Sequence, residues 1–334
     1  MTGALTNASC RVRPAAEPVP APIIGSAAGN IFGRLVRQND GVRHAGLKAA
    51  AVATLETLAP ARVAALSRAH GRALVAELSP HASRRGLDAF AFRLAPSVVA
   101  SLLGAPGEAV PDVVRWTGEF VSGIAPGAPA DARAAGKAAA ARLLDLGRTL
   151  RAADGLLATL ARHAEGREGG AVVANALGFL SQSYDATAGL IGNTLLALAR
   201  HPELADATLL PRVVAEVARH DAPVQNTRRF VAEDTVVEGQ RMNAGDAVLV
   251  VLAAANRDPA ANPDPARFDI ERLAPRTFTF GLGAHACPGA MLATTIAVAG
   301  VTEVLEAGLP LDRLARDVRY RPSANARIPR FDAG

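Results

Sequence analysis

The chain has 334 residues, of which 36 are Lys or Arg and 31 are Asp or Glu, for a formal net charge of +5. Half of the residues are hydrophobic and 20% are charged, which supplies a core and excludes disorder of the whole chain. Cys10 and Cys287 are the two cysteines, too few for a disulfide framework or a structural zinc site, and Arg11, Arg13 and Glu17 stand where a signal peptide needs an apolar run.

In chain order, Pro14, Pro18, Pro20 and Pro22 prevent a continuous helix at the front, so residues 1–40 read as an extended Pro/Gly-rich arm. Helical periodicity follows over Pro60 to Leu78, Leu87 to Leu103 and Ala130 to Ala164, with breaks expected at Pro96, Pro106, Pro111 and Pro126. Ala171 to Arg200 is a proline-free run too long and too apolar for a surface helix, and it reads as a buried central helix. Pro211 opens a short helix through His220. Arg229 to Glu238 and Ala247 to Leu252 carry strand-like alternation, separated by a turn at Asn243-Ala244-Gly245-Asp246. A Pro-rich loop spans Ala253 to Arg276, and a last helix runs from Pro288 to about Ala307. The class is mainly α with small β-sheets. No repeat or linker divides the chain, so 1–334 reads as one domain.

Nearly all the positive charge is arginine, Lys48 and Lys137 being the only lysines. The arginines are scattered rather than clustered and 13 aromatics are too few to interleave with them, which argues against a nucleic-acid partner and for a solvated basic surface that docks an acidic protein. The expectation is a soluble cytoplasmic protein with no membrane association.

Phe280-Gly281-Leu282-Gly283-Ala284-His285-Ala286-Cys287-Pro288-Gly289 is a glycine-rich loop that delivers a cysteine to the start of an apolar helix. There the partly positive helix end is expected to lower the thiol pKa, suiting Cys287 to ligate metal or to attack carbon. Gly281, Gly283 and Gly289 let backbone approach something flat and large, which a core cysteine does not require.

The segment resembles the cytochrome P450 family, whose signature Phe-x-x-Gly-x-(Arg/His)-x-Cys-x-Gly is met by Phe280, Gly283, His285, Cys287 and Gly289. The resemblance implies the P450 fold and haem b, with Cys287 as axial thiolate, His285 facing a haem propionate, and Phe280, Gly281 and Gly289 around it. Glu216 and Arg219 look like the family's Glu-x-x-Arg pair, and Arg267 like the third member of that structural ion network. His44 and Lys48 look like its His-x-x-x-Arg propionate pair with lysine for arginine, and Arg229 like a further propionate ligand.

The central helix departs from the family pattern (Ala/Gly)-Gly-x-(Asp/Glu)-Thr, reading Gln182-Ser183-Tyr184-Asp185-Ala186. Asp185 is retained, Ala186 stands where the relay threonine is expected, and Thr187 lies about 100° further round the helix. Asp185, Ser183, Gln182 and Thr187 are therefore the candidate proton-handling residues. Substrate contacts are expected from Ile23 to Arg37, Tyr184, Ala186, Val224, Gln225, Asn226 and Ser323-Ala324-Asn325, a polar set suited to a heteroatom-bearing metabolite.

The resemblance implies a bacterial-type haem-thiolate oxidoreductase of specialised metabolism, served by a ferredoxin-type partner. Alternatives are atypical haem chemistry (peroxide, nitrogen-oxide or nitrene type, coupling or rearrangement), a non-catalytic haem-binding protein, and a non-haem enzyme with Cys287 as nucleophile. Family members carry more chain before the His44 segment. The strand at Arg229 to Glu238 is therefore expected to show a barer edge, leading to a homodimer, a wider pocket mouth, or an arm folded back over it.

Overall fold

Most of the backbone polar groups are satisfied within helices, and side-chain hydroxyls cap the starts of two of them. The structure, a computed structural model, describes residues 1–150, 154–314, 316 and 318–332. Its helices, in chain order, are α1 (Thr2–Thr6), α2 (Ala27–Arg34), α3 (Gly41–Glu56), α4 (Pro60–Leu78), α5 (Arg84–Leu103), α6 (Val110–Gly123), α7 (Ala130–Leu150), α8 (Leu156–His163), α9 (Gly169–Arg200), α10 (Leu210–His220), α11 (Leu252–Asn256) and α12 (Ala290–Glu306). The strands are β1 (Cys10–Arg11), β2 (Thr227–Val231), β3 (Thr235–Val237), β4 (Gln240–Met242), β5 (Ala247–Val250), β6 (Arg319–Tyr320) and β7 (Pro329–Arg330).

α5 shows how its ends are specified. The Ser83 hydroxyl accepts the Gly86 N–H at 3.1 Å, and Gly104, at φ 97°, closes the helix in the left-handed region. Pro96 lies inside α5 without ending it, contrary to the break expected there. Pro96 is itself buried, and contacts with α4, α6 and α9 hold the helix through it. The run expected over Ala130 to Ala164 is two helices, α7 and α8; the part at 151–153 lies outside the described residues. At Gly155 an added Cβ would come within 2.6 Å of the Leu103 carbonyl oxygen, so the chain turns where it presses on the end of α5.

α9 is 32 residues long, roughly 48 Å. It runs through the centre, with α5 and α12 against it, and Ile191, Leu195, Val98 and Ile296 are fully buried at that junction. α5 and the segment Gly283–Glu306 are long and apolar enough to cross a membrane by length and composition, with mean hydropathy 1.4, and both contribute much of this core.

The front of the chain is not an extended arm. It forms α1, β1 and α2, and β1 pairs antiparallel with β2 through Cys10 opposite Val231 and Arg11 opposite Phe230. β2 pairs on its other side with β5, so the bare edge expected there is covered by the folded-back front segment. The single strand expected over Arg229 to Glu238 is divided. β3 leaves the sheet and pairs with β4 across a turn in which Glu238 and Gly239 both have positive φ.

The long loop before α12 is held by side-chain amides. The Asn256 Nδ2 donates to Thr279 Oγ1 at 2.9 Å while its Oδ1 accepts from Phe278 N at 2.6 Å. Asn262 Nδ2 donates to the carbonyls of Asn256 and Arg276, and its Oδ1 accepts from Arg276 N. Both asparagines are buried.

Candidate functional site

The loop before α12 is shaped by its glycines. Gly281 and Gly283 have φ of 70° and 68°, values that favour glycine, and the Cys287 N–H donates back to the Phe280 carbonyl at 2.7 Å. Phe280 packs against the main core and anchors the loop. α12 begins at Ala290 rather than at Pro288, so Pro288 and Cys287 lie ahead of its first turn. The thiol pKa is raised, not lowered as the sequence suggests. Burial is the largest cause, and the Gly289 N–H and the Lys48 charge pull the other way without prevailing. Cys287 is nonetheless exposed by area, the combination expected of a side chain on the wall of a recess.

Beside the thiol the structure brings together His44, Lys48, His285 and Arg229. The rings of His44 and His285 are 4.2 Å apart, and Lys48 donates to the Ala286 carbonyl. Arg229 is buried and uses one guanidinium nitrogen, on Thr227 Oγ1 and the Arg228 carbonyl. Asp40 contributes the carboxylate. Its Oδ1 lies 3.0 Å from His285 Nε2, and its Oδ2 accepts from Val12 N at 3.1 Å. Burial works to raise the Asp40 pKa, but these hydrogen bonds and the His285 and Arg229 charges hold it below the usual value. His44 is pushed down to about 4 by burial and then by the charges of His285 and Lys48. Its Nε2 is buried and, among the described residues, has no partner.

Lys48, Arg229 and the neutral His44 ring therefore keep hydrogen-bonding positions unspent near the Asp40 carboxylate and the recessed thiol. Among the described residues no group of three or more His, Cys, Asp or Glu could hold a metal ion by itself. The set suits a group that takes one thiolate and presents its own carboxylates to His44, Lys48 and Arg229. Asp40 was not anticipated from the sequence, although it stands one residue ahead of α3, on the element that carries His44 and Lys48.

At mid-α9 the polar residues separate by their partners. Gln182 Nε2 and Ser183 Oγ each donate at 2.9 Å to carbonyls of α9 itself, those of Gly178 and Leu180. Tyr184 packs on Phe92 with ring centroids 5.2 Å apart. Asp185 Oδ1 lies 3.9 Å from Arg321 Nη1 and has no hydrogen-bond partner among the described residues. Burial raises the Asp185 pKa, and Arg321 and Arg37 oppose it. Ala186 is half-buried, whereas Thr187 is fully buried with an unpartnered hydroxyl, so it faces the core and not an accessible space.

Val224 to Asn226 and Ala324 to Ala326 lie against one another. Gln225 N donates to the Asn325 carbonyl at 2.8 Å, Asn226 Nδ2 to the Ala324 carbonyl at 3.2 Å, and Val224 bridges Ala326.

The ion network differs from the trio named above. Glu216 and Arg219 are buried and paired at 2.6 Å. The Arg267 side chain is 67% exposed and gives the network only its carbonyl, which accepts from Arg219 Nη2 at 3.1 Å. Arg272, at 9% exposure, takes the third place 3.8 Å from Glu216 Oε1. Arg272 also donates to the carbonyls of Pro263, Asp264 and Arg267, which turns its side chain inward across the loop.

The family model described as Cytochrome P450 matches residues 203–307, which include the Glu216–Arg219 pair and the Cys287 loop. Cytochrome P450 monooxygenase PikC of Streptomyces venezuelae is 36% identical over 232 residues, 66% of this chain and 55% of that protein. Across the relatives matched the chain spans from 27% to 60% of their length. Among solved structures, CalO2 superposes with a TM-score of 0.76 at 28% identity, covering 90% of this chain and 80% of that one. P450BioI, solved in complex with a fatty-acyl-ligated acyl carrier protein, superposes with a TM-score of 0.82 at 23% identity, covering 98% of this chain and 88% of that one.

Proposed function

The chain belongs to the cytochrome P450 family, and from that premise we propose that it is a haem-thiolate oxidoreductase that oxidises a small specialised metabolite. The observation that carries this reading is the lone recessed thiol of Cys287 beside His44, Lys48 and Arg229, whose donors are not used up within the protein. Cys287 would supply the thiolate to haem b, and the Lys48 and Arg229 cations, with the His44 ring, would hold its propionates. Bound there, the cofactor supplies the redox chemistry that the twenty side-chain types lack.

Because burial holds the Cys287 proton on, its loss would accompany metal binding rather than precede it. Mid-α9 would serve proton supply. Ser183 and Gln182 are occupied by carbonyls of their own helix, and Thr187 is closed off in the core. Asp185 Oδ1 is the free position, and burial favours its keeping a proton. With Ala186 supplying no hydroxyl, the proton must pass through water or a substrate group next to Asp185. This favours, as a second reading, chemistry that needs no such relay: peroxide or nitrogen-oxide use, coupling or rearrangement.

PikC is named a monooxygenase and comes from a bacterium, which supports the same class for this chain and a bacterial cytoplasmic setting. The net charge of +5 suits an acidic electron donor of the ferredoxin type. The test is the absorption spectrum of the purified protein, ferric and then reduced under carbon monoxide, compared with Cys287→Ser. A strongly red-shifted Soret band that the substitution abolishes is expected. A spectrum indifferent to Cys287 would refute the assignment.

A further inference from the structure

The carboxylates of Asp40, Asp185 and Glu216 each have a cation beside them, whereas Asp88 has a second carboxylate. Asp88 lies half-buried near the start of α5, where its Oδ1 accepts from Phe331 N at 2.9 Å and its Oδ2 from Asp332 N at 3.2 Å. The second of those N–H groups belongs to an aspartate, so the Asp332 carboxyl is brought up against that of Asp88. The arginines of this corner are engaged elsewhere. Arg330 donates to Asp332 Oδ1 through Nε at 3.1 Å and Nη2 at 2.9 Å, and Arg85 also faces Asp332. Arg84 donates to the carbonyls of Arg313, Arg316 and Phe331 at 2.9, 3.3 and 3.4 Å. Among the described residues no cation is paired with Asp88.

What Asp88 holds is the end of the β6–β7 hairpin, and that hairpin reaches the site. Arg321, just after β6, stands 3.9 Å from Asp185, and Arg327 is paired with Asp221 at 2.8 Å. Between them the Asn325 carbonyl accepts from Gln225 N. Pro329 of β7 packs on α9, where a Cβ added at Gly192 would come within 3.0 Å of its ring, and Phe331 is fully buried in the main core. Docking of Phe331 and Asp332 on α5 therefore fixes where Arg321 and the 323–325 turn lie against α9.

We propose that Asp88 and Asp332 form a pH-sensitive clasp, which holds the β6–β7 hairpin on α5 while the two carboxyls share a proton and loosens it when both are charged. Protonated, Asp88 can donate its O–H to Asp332; ionised, two acceptors face each other with no donor between them. Burial, and then Asp332, raise the Asp88 pKa to about 6 against the pull of the two N–H donors, while Asp332 is held low by Arg330 and by Asp88 itself. Asp88 is thus the group that carries the shared proton. In an opened hairpin water returns Asp88 to about 3.9, so the docked form binds the proton more tightly. The docking is strongest below about pH 4, weakens as the pH rises to about 6, and is level above that. The clasp rests on the packing of the hairpin and not on the oxidoreductase reading.

The test is hydrogen exchange of the full chain as purified, read by mass spectrometry at pH 5 and pH 7.5 and corrected for intrinsic exchange rates. Those two pKa values give about a tenfold loss of protection over residues 319–332 between the two conditions, and solvent screening of a half-exposed carboxyl reduces the expectation to about fivefold. α4 serves as the reference and should not change. Asp88→Asn, which cannot titrate, should make the protection of 319–332 independent of pH. Asp332→Asn removes the opposing charge and supplies an amide donor, so it should raise protection at pH 7.5. The proposal is overturned if 319–332 loses less than about threefold, if α4 loses protection in parallel, if the pH dependence survives Asp88→Asn, or if Asp332→Asn leaves the protection at pH 7.5 unchanged.

Discussion

Replacing Arg219 with lysine separates what its charge does from what its shape does. The guanidinium donates to both oxygens of Glu216, at 2.6 and 2.8 Å, and also to the carbonyls of Asn256, Pro265 and Arg267 at 3.2, 3.0 and 3.1 Å. Its side chain is fully buried, so no water replaces a lost donor. Lysine keeps the positive charge on one nitrogen, which cannot face Glu216 and span three carbonyls of the 256–267 loop at once. Two stranded carbonyls at about 1–3 kcal/mol each, partly offset by relaxation, give an expected loss of about 3 kcal/mol, or about 150-fold in the folding equilibrium. Urea unfolding of the cofactor-free chain with an unchanged m-value is the assay. A loss under about 0.5 kcal/mol would show that charge alone matters and refute the view of Arg219 as the clamp on that loop.

Four further outcomes are expected. Gly300→Ala places a Cβ 2.4 Å from Leu94 Cδ2 where α12 meets α5, and should cost about 1–3 kcal/mol by thermal unfolding; an unchanged melting temperature would count against the packing described. Ser83→Ala removes the cap of α5 and should cost about 1 kcal/mol. Deleting residues 1–12 strips β1 from β2 and should produce concentration-dependent association in light scattering, whereas a monodisperse monomer would show that the edge needs no cover. In the cofactor-free protein His44 has a folded pKa of about 4 against about 6.5 unfolded, so the unfolded chain binds the proton between those values. Stability should rise with pH across that window and level off above it, and His44→Gln should flatten the slope.

The longer helices were legible in the sequence because their apolar periodicity is local, whereas α1 and α2 fall in the front segment that reads as an arm. Pro60 begins α4 and Pro211 lies in the first turn of α10, as expected of first-turn prolines. Three further features were not legible, each because it depends on a distant partner. Pro96 stays helical because α4, α6 and α9 surround α5. Arg272 displaces Arg267 from Glu216 because carbonyls of the folded loop draw its side chain inward. The Cys287 thiol is raised because burial outweighs the dipole of a helix that starts three residues later. The same holds at the site: Asp185 could be read from its neighbours along the helix, whereas Asp40 acquires meaning only once the Cys287 loop is beside it.

The amide-held loop before α12 is also sensitive to the loss of a single side-chain amide. Hydrolysis of an asparagine side chain to aspartate changes one group and almost no volume, yet it replaces a donor with an acceptor. At Asn262 the new carboxylate would face the carbonyls of Asn256 and Arg276, and at Asn256 it would face Thr279. Such a change at Asn262 would therefore loosen the approach to the cysteine loop, and near-ultraviolet signals from the loop should change before the helical circular dichroism does.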